Sequence, residues 1–361
     1  MPCTEAWLRF ARLEIPPRRA VELLDVFGSP EAVLDASRTD LEQIGGLSPK
    51  TIDRILAGAP NDVIARDLAA MSRCGATILT IQDAQYPDIL RQIADPPPVL
   101  FVRGKLQEQD RLAVAVVGSR NPTSYGLMVA EKMGRGLAEC GFTVVSGLAR
   151  GIDAAAHKGA ISTGRTVAVL GCGVDVAYPA ENRRLLESIA EKGAVISESP
   201  MRVAPDAWRF PARNRIISGL SLGVVLCQAR LGSGALITAD FALEQGRDVF
   251  AVPGDVLDGR SRGCHMLIKQ GAALVESHED VLVALGVPVG ELKPKQSSPP
   301  MQLSLDESRL LNLLALQQRH VDDLVAETEM SAAQVNALLL VMELRGLVKR
   351  LPGGTFIRVA Y

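Results

Sequence analysis

The spacing of apolar positions changes character along the 361 residues and divides the chain into regions. Over residues 1–60 apolar side chains recur at helical spacing in short stretches, 7–13, 18–27, 31–36 and 50–57, separated by proline or glycine. They predict an N-terminal helical domain. Within it, Ile44-Gly45-Gly46-Leu47-Ser48-Pro49 has two readings. One is the hairpin of a SAM-like or helix-hairpin-helix-like module, whose backbone N–H groups can face a phosphate. The other is a plain helix–helix turn with a glycine C-cap. Residues 61–110 are transitional, with a helix over 63–74 and a strand over 76–79. A proline-rich passage follows, in which Tyr86-Pro87 and Asp95-Pro96-Pro97-Pro98 impose extended or turned backbone, expected to wrap the next domain.

From residue 113 a strand–loop–helix rhythm sets in. Continuous apolar runs at 113–117, 143–145, 166–170, 194–197, 223–226, 249–252 and 273–275 predict strands buried on both faces of a parallel sheet. Helical patterns lie between them at 127–140, 152–161, 181–190, 235–245 and 264–270. Alternating βα units predict an α/β domain with an extended Rossmann-like, doubly wound, mostly parallel sheet. The rhythm stops after 281–285. Residues 286–302 carry four prolines and two serines and no regular pattern, which reads as a linker. Beyond it, amphipathic helices at 306–316, 321–327 and 331–344 precede strands at 348–351 and 355–359 around Pro352-Gly353-Gly354, the order of a C-terminal winged-helix-like domain. The expected organisation is a helical domain 1–60, a Rossmann-like domain 61–288, a linker 289–302 and a winged-helix-like domain 303–361.

Composition narrows the class. A hydrophobic fraction of 47% and a charged fraction of 22% are ordinary for a soluble globular protein. The six cysteines are scattered without a C-x-x-C pair, so neither a disulfide framework nor a zinc site is encoded. The sequence shows no signal-peptide pattern and no apolar run of membrane-spanning length, so a cytoplasmic protein without membrane association is expected. The net charge of −2 does not itself suggest nucleic acid, but a whole-chain balance can hide a local basic surface.

The candidate chemistry follows the strands, where an open α/β sheet binds ligands and helix N-termini present unpaired N–H groups. Gly118-Ser119-Arg120 combines close backbone approach, a hydroxyl and a cation. Ser146-Gly147-Leu148-Ala149-Arg150-Gly151-Ile152-Asp153, Gly171-Cys172-Gly173, Gly232-Ser233-Gly234 and Pro253-Gly254 occupy equivalent positions. Any one such loop can be steric in origin, but the set points to anion binding. No G-x-G-x-x-G with an acidic residue at ribose distance occurs, so no dinucleotide cofactor is expected. From Ala207 to Ala239 there is no Asp or Glu, which leaves Arg209, Arg213, Arg215 and Arg230 locally uncompensated, with Trp208 and Phe210 available for base stacking. Phe210-Pro211-Ala212-Arg213-Asn214-Arg215 is expected to precede a helix. Arginine forks with an aromatic platform are the parts of a single-strand site; the alternative is aromatic core with arginines paired to distant carboxylates. Asp153 and His157 are four apart and could share a helix face as a catalytic or metal pair. They are read instead as a helix cap and a hydrogen-bonded structural histidine. No metal site and no catalytic residue is expected.

These residues carry a resemblance. Tyr86-Pro87 with Asp95-Pro96-Pro97, Val117-Gly118-Ser119-Arg120, the segment 146–153, Leu170-Gly171-Cys172-Gly173 with Tyr178-Pro179 and Asn182, and the segment 210–219 resemble motifs of the bacterial DprA/Smf DNA-processing proteins. So do segments 233–239, 249–254 and 267–272. The resemblance implies an extended Rossmann fold without established enzymatic activity. It also implies single-stranded DNA binding, a homodimer, and help in loading RecA onto incoming DNA during natural transformation (competence). Family DNA contacts would fall on Gly118, Ser119, Arg120, Phe210, Arg213, Asn214 and Lys269. With the loop and helix-start residues Gly147, Arg215, Ser233 and Gly234, these make up the expected DNA-binding set. Gln228, Asp240 and His265 depart from the family pattern, in place of an acidic, a basic and an asparagine residue. Residues 302–361 carry six Lys or Arg against seven Asp or Glu, so a protein-interaction or regulatory role is expected for the tail, not a grip on duplex phosphates. The competing function is a nucleotide-processing enzyme of the phosphoribohydrolase-like class. That class has P-G-G-x-G-T-x-x-E, of which Pro253-Gly254-Asp255 is the nearest local segment. A pure interaction scaffold is the third reading.

Overall fold

The structure is a computed structural model that describes residues 4–287, 304–314, 318–328, 330–345, 347–351 and 353–358. It forms two compact units divided after residue 293, each described by itself. The expected linker 289–302 lies outside the described residues.

The first unit begins with helices α1 (Thr4–Arg12), α2 (Pro17–Phe27), α3 (Pro30–Leu34), α4 (Arg38–Gln43), α5 (Pro49–Ala57) and α6 (Asn61–Cys74). The helix α4 was not expected. Ser37 starts it with a reciprocal capping box to Asp40, a signal hidden by the polar sequence that follows. Ser48 caps α5 with Pro49 at its first position, so 44–48 is the turn of a helical hairpin. Trp7, Leu8, Leu23, Leu41 and Ile55 share one core with Leu148, Leu170 and Cys172. The helices therefore pack on the sheet rather than forming a separate lobe. Arg12 fixes the join by pairing with the fully buried Asp67 at 2.6 Å and donating to the Met201 carbonyl at 2.6 Å.

The sheet comprises β1 (Ala76–Thr80), β2 (Val99–Gly104), β3 (Ala113–Val117), β4 (Thr143–Ser146), β5 (Thr166–Val169), β6 (Ala194–Ser197), β7 (Gly223–Leu226), β8 (Asp248–Ala251) and β9 (Ala273–Leu274). Between β1 and β2 lies α7 (Asp88–Arg91); the later helices are α8 (Ser124–Glu139), α9 (Ile152–Thr163), α10 (Arg183–Lys192), α11 (Arg209–Gly219), α12 (Gly234–Glu244), α13 (Arg262–Lys269) and α14 (His278–Ala284). The spatial order is β1-β2-β6-β5-β4-β3-β7-β8-β9, parallel from β6 to β9, with β2 antiparallel to both of its neighbours. Strand β2 was missed, because the three prolines before it draw attention to turns while Val99-Leu100-Phe101-Val102 behind them is fully buried. The period-two rule divides the core: Val114 and Val116 of β3 face α8 and α9, while Ala113, Ala115 and Val117 face α11 and α12. The chain winds from β3 to β6 on one side and then crosses to β7 on the other. That places a topological switch point between the carboxyl ends of β3 and β7, where such sheets hold ligands.

In the second unit α15 (Leu305–Leu314), α16 (Val321–Thr328) and α17 (Ala332–Leu344) pack on a three-stranded sheet of β10 (Arg319–His320), β12 (Thr355–Arg358) and β11 (Val348–Leu351), in that order. Leu310, Leu314, Leu324, Leu339, Met342 and Phe356 form its core, in a winged-helix arrangement.

Helices α8 and α9 approach closely because glycines face backbone across them. A Cβ at Gly159 would lie 2.0 Å from the Glu131 carbonyl oxygen, and one at Gly134 would lie 2.3 Å from that of Ala156. Gly159→Ala is expected to lower unfolding stability by about 1–3 kcal/mol through this overlap, although alanine alone favours a helix interior by about 1 kcal/mol. Urea denaturation of both proteins checks it, and a more stable variant would contradict the packing.

Candidate nucleic-acid interface

At the β3/β7 switch point lies an open groove of about 760 Å³. Its floor starts at Gly118, where a Cβ would meet Ile152 Cγ1 at 2.7 Å and the Gln228 carbonyl oxygen at 2.8 Å, so the position admits only glycine. The loop is tied on both sides: the Ser119 N–H donates to the Gln228 carbonyl at 2.7 Å, and the Ile152 N–H donates to the Ser119 carbonyl at 3.2 Å. Gln228 is itself buried. Its Oε1 accepts from the Thr123 N–H at 2.8 Å, and its Nε2 donates to Thr123 Oγ1 at 3.1 Å. A carboxylate could accept the same N–H but could not donate back, so the amide closes this corner without leaving it charged. Across the groove, Ser233 caps α12 by accepting from the Ala235 N–H at 3.3 Å, and Gly232 and Gly234 complete that rim.

Helix α11 supplies the third wall. Residues 210–215 lie within this helix and do not precede it, a correction that decides where each side chain points. Phe210, Arg213 and Asn214 line the groove, whereas Arg215 does not. The Phe210 ring stacks on Tyr178 (centroids 5.3 Å apart, planes at 27°), and the Arg120 guanidinium lies over the same ring at 5.2 Å. Tyr178 is 41% exposed. Gly171 leaves room for the ring, since a Cβ there would stand 3.1 Å from Phe210 Cδ1.

The expectation of uncompensated arginines needs correction one residue at a time, because sequence distance conceals the partners. Arg215 is buried between Glu198 at 2.6 Å and Asp95 at 3.0 Å. Arg209 pairs with Glu14 of the helical region at 2.7 Å and lies 4.3 Å over the Trp208 ring, so Trp208 is engaged away from the groove. Arg213 is buried in the floor. Only Arg120 and Arg230 line the groove as exposed cations that pair with no carboxylate among the described residues. Lys269 ends α13 at an exposed position outside the groove. Asp240 is exposed on α12. His265 Nε2 lies 3.2 Å from the Gly254 nitrogen and steadies that loop.

Arg213 and Asp153 are buried in the floor itself, with His157 in the layer behind them. Arg213 donates to the carbonyls of Gly147 (2.9 Å) and Val169, at the ends of β4 and β5. Its guanidinium fills the space a Cβ of Gly147 would need. Burial pulls its pKa down to about 10, against the pull of the Asp153 charge. Asp153 does not cap its helix; Gly151 is the N-cap, and the Asp153 carboxylate accepts from the Gly147 and Ala149 N–H groups at 3.2 and 3.3 Å. Burial raises its pKa, while Arg213 and those N–H groups oppose the rise. His157 is the structural residue expected. Thr166 Oγ1 gives its proton to the Val144 carbonyl at 2.6 Å, so His157 Nδ1–H donates to that oxygen at 2.7 Å. Its Nε2 is left as a bare buried acceptor. Burial first, and Arg213 second, hold its pKa at about 3. No group of side chains able to hold a metal ion occurs among the described residues. Sequence reasoning missed Tyr178 as a groove residue; its one signal was an aromatic beside Pro179 shortly after the Gly171-Cys172-Gly173 loop.

Comparison with known proteins bears on the family and the fold. The family model for DNA recombination-mediator protein A matches residues 77–286, a DprA winged helix domain matches 294–354, and a SAM-like helix-hairpin-helix tandem matches 15–59. The last match selects the hairpin reading of 44–49. Protein Smf of Escherichia coli is 37% identical over 97% of this chain and 95% of its own length. The X-ray structure of DNA processing protein A from Streptococcus pneumoniae superposes with a TM-score of 0.69 and 37% identity, covering 78% of this chain and 98% of that one. A structure on the single-stranded DNA binding mode of DNA processing protein A from Helicobacter pylori has a TM-score of 0.54 and 30% identity, over 59% of this chain and 97% of that one.

The neutral buried His157 has a consequence in pH. The unfolded chain takes up a proton near pH 6.5 and the folded protein only near pH 3, so stability is lost as pH falls through that window. Between pH 7 and 5 the linkage amounts to about 2 kcal/mol for this one group. In urea titrations at the two pH values, His157→Gln should lose that much less on acidification. An identical pH dependence in both proteins would contradict a neutral His157.

Proposed function

The chain belongs to the DNA recombination-mediator protein A family, the DprA/Smf proteins, and on that premise we propose that it binds single-stranded DNA in the β3/β7 groove. The observation that carries the reading is the meeting of Arg120 with the Tyr178–Phe210 stack beside the Gly118-Ser119 loop. A single strand offers phosphates and unpaired base faces together, and this groove offers a partner for each within one side chain's reach. A duplex hides its base faces and would use only the cations. Gly118, Ser119, Arg120, Phe210, Asn214, Ser233 and Gly234 form the contact set, with Arg230 as a further phosphate ligand. Gly147 and Arg213 shape the floor. The Helicobacter pylori relative, whose structure concerns single-stranded DNA binding, supports the same assignment.

Within this reading the protein acts in natural transformation and recombination, where it protects incoming DNA and helps load RecA as a cytoplasmic homodimer; family membership is the support for these steps. A non-catalytic role is supported by the state of Asp153, the one carboxylate lining the groove among the described residues. Its Oδ2 accepts two backbone N–H groups and it lies beside Arg213, contacts that hold the loop after β4.

Arg120→Ala should weaken binding of a 20-nucleotide dT oligomer about ten- to hundredfold, the loss of one charge-assisted contact. It should also reduce the slope of log affinity against log salt by about 0.7, one single-strand phosphate. Fluorescence anisotropy at several salt concentrations, with a duplex of equal length alongside, checks both. Equal preference for duplex, or binding indifferent to salt, would sink the assignment.

A further inference from the structure

Helix α11 carries Phe210, Arg213 and Asn214 to the groove, so the placement of its first turn decides whether the Phe210 ring reaches Tyr178. Little in the local sequence holds that turn. Trp208 stands at the N-cap without a side-chain capping hydrogen bond, and no acidic residue follows in the first turn. The first helical residue is instead a cation, Arg209, set against the positive end of the helix dipole. Arg213 anchors the helix one turn further on, and the first turn needs an anchor of its own.

Arg209 finds that anchor in the N-terminal helical region. Its Nη2 donates to Glu14 Oε1 at 2.7 Å, and its Nη1 donates to Ser199 Oγ, just after β6, at 3.4 Å. Its backbone rests on Gly171, where a Cβ would stand 3.4 Å from the Arg209 carbonyl carbon and 3.1 Å from Phe210 Cδ1. A cavity of about 350 Å³ lies between the α1–α2 turn and α11, lined by Glu14 and Arg209 together with Phe10, Ile15 and Ala212. Apolar packing is incomplete there, which leaves the ion pair to span the gap.

Glu14 is itself an outlier. Its φ is 45°, a left-handed backbone that glycine adopts at least cost. Leu13 and Ile15 on either side are buried and Pro16-Pro17 follows, so the turn is stiff. A strained position occupied by a glutamate points to a use for its carboxylate.

We infer that Glu14 is a positioning residue for the groove: through Arg209 it holds the first turn of α11, so that the N-terminal helical region sets the Phe210–Tyr178 platform. The inference rests on the single-strand reading of the groove. Neither Glu14 nor Arg209 lines the groove, so the pair acts on a bound strand only through the helix.

The full-length protein, Glu14→Gly, Arg209→Met and the double variant are titrated with a dT 20-mer at several salt concentrations, and each is unfolded in urea. Glu14→Gly relieves the positive φ and removes only a partly exposed ion pair, so stability should not fall. Its affinity should nonetheless drop about three- to thirtyfold, the range for indirect coupling. The salt slope should stay unchanged, because no phosphate contact is lost. Charge alone predicts the reverse, since removing a carboxylate favours an anionic ligand. In the Arg209→Met background, Glu14→Gly should have no further effect, because the carboxylate acts only through that guanidinium. Unchanged or tighter binding by Glu14→Gly overturns the positioning role, and so does a double variant in which the two losses multiply. A loss of affinity matched by a loss of stability makes Glu14 merely structural and likewise overturns it. In each of these cases binding by the unaltered protein leaves the groove reading standing. Failure of the unaltered protein to bind the dT 20-mer overturns both.

Discussion

The groove depends on one buried cation. Arg213 reaches from α11 into the floor and joins the ends of β4 and β5 through the Gly147 and Val169 carbonyls. Desolvating a guanidinium is costly, and the cost is tolerated only where the lost water contacts are replaced. Here two carbonyls and the Asp153 charge replace them, and Asp153 in turn holds the N–H groups of Gly147 and Ala149. The loop after β4 is thereby clamped from both sides. Helix α11 is fixed at the angle that brings Phe210 to Tyr178. The site's rigidity is thus set below its surface, by groups that need not touch a ligand.

This arrangement explains why sequence reading reached the loops after the strands but not the partners of the side chains around them. Continuous apolar runs such as 113–117 and 223–226 could be read because both faces of those strands are buried, and the glycine loops follow them by topology. The arginines of 207–239 could not be sorted the same way. Arg215 finds Glu198 and Asp95 from other parts of the chain, and Arg209 finds Glu14 nearly two hundred residues away. An acid-free window shows only that no partner is near in sequence. Tyr178 was quoted with Pro179 as part of the resemblance but not placed at the groove, because its stacking on Phe210 is a contact that no local pattern records.

Charge shows the same contrast between whole and part. A net charge of −2 would argue against nucleic acid if charge were spread evenly. Most arginines of the first unit are instead paired with carboxylates, and several of these pairs hold elements together, such as Arg12–Asp67 and Arg165–Asp110. What remains for a ligand is a local excess, Arg120 and Arg230 in a groove whose one carboxylate among the described residues is engaged with backbone N–H groups. Two cations lining one groove act on a phosphate more strongly than their share of the total charge suggests, because a cleft lined by one sign of charge focuses the field.

If the groove holds single-stranded DNA as proposed, Arg120 couples the two halves of recognition. In the structure its guanidinium rests on the Phe210 ring, a cation–π contact of modest strength at an exposed site. A phosphate entering beside Gly118 and Ser119 offers a charge-assisted hydrogen bond, which is stronger. If Arg120 turns toward that phosphate, the ring loses one cover, and a base can take the vacated contact or meet Tyr178 beside it. If Arg120 stays, it bridges ring and phosphate. In both cases the phosphate and base contacts are not independent, so truncating Arg120 and Tyr178 together should cost less than the sum of the single effects. That non-additivity distinguishes a groove built for a polymer of linked phosphates and bases from a cleft that merely contains two unrelated contacts.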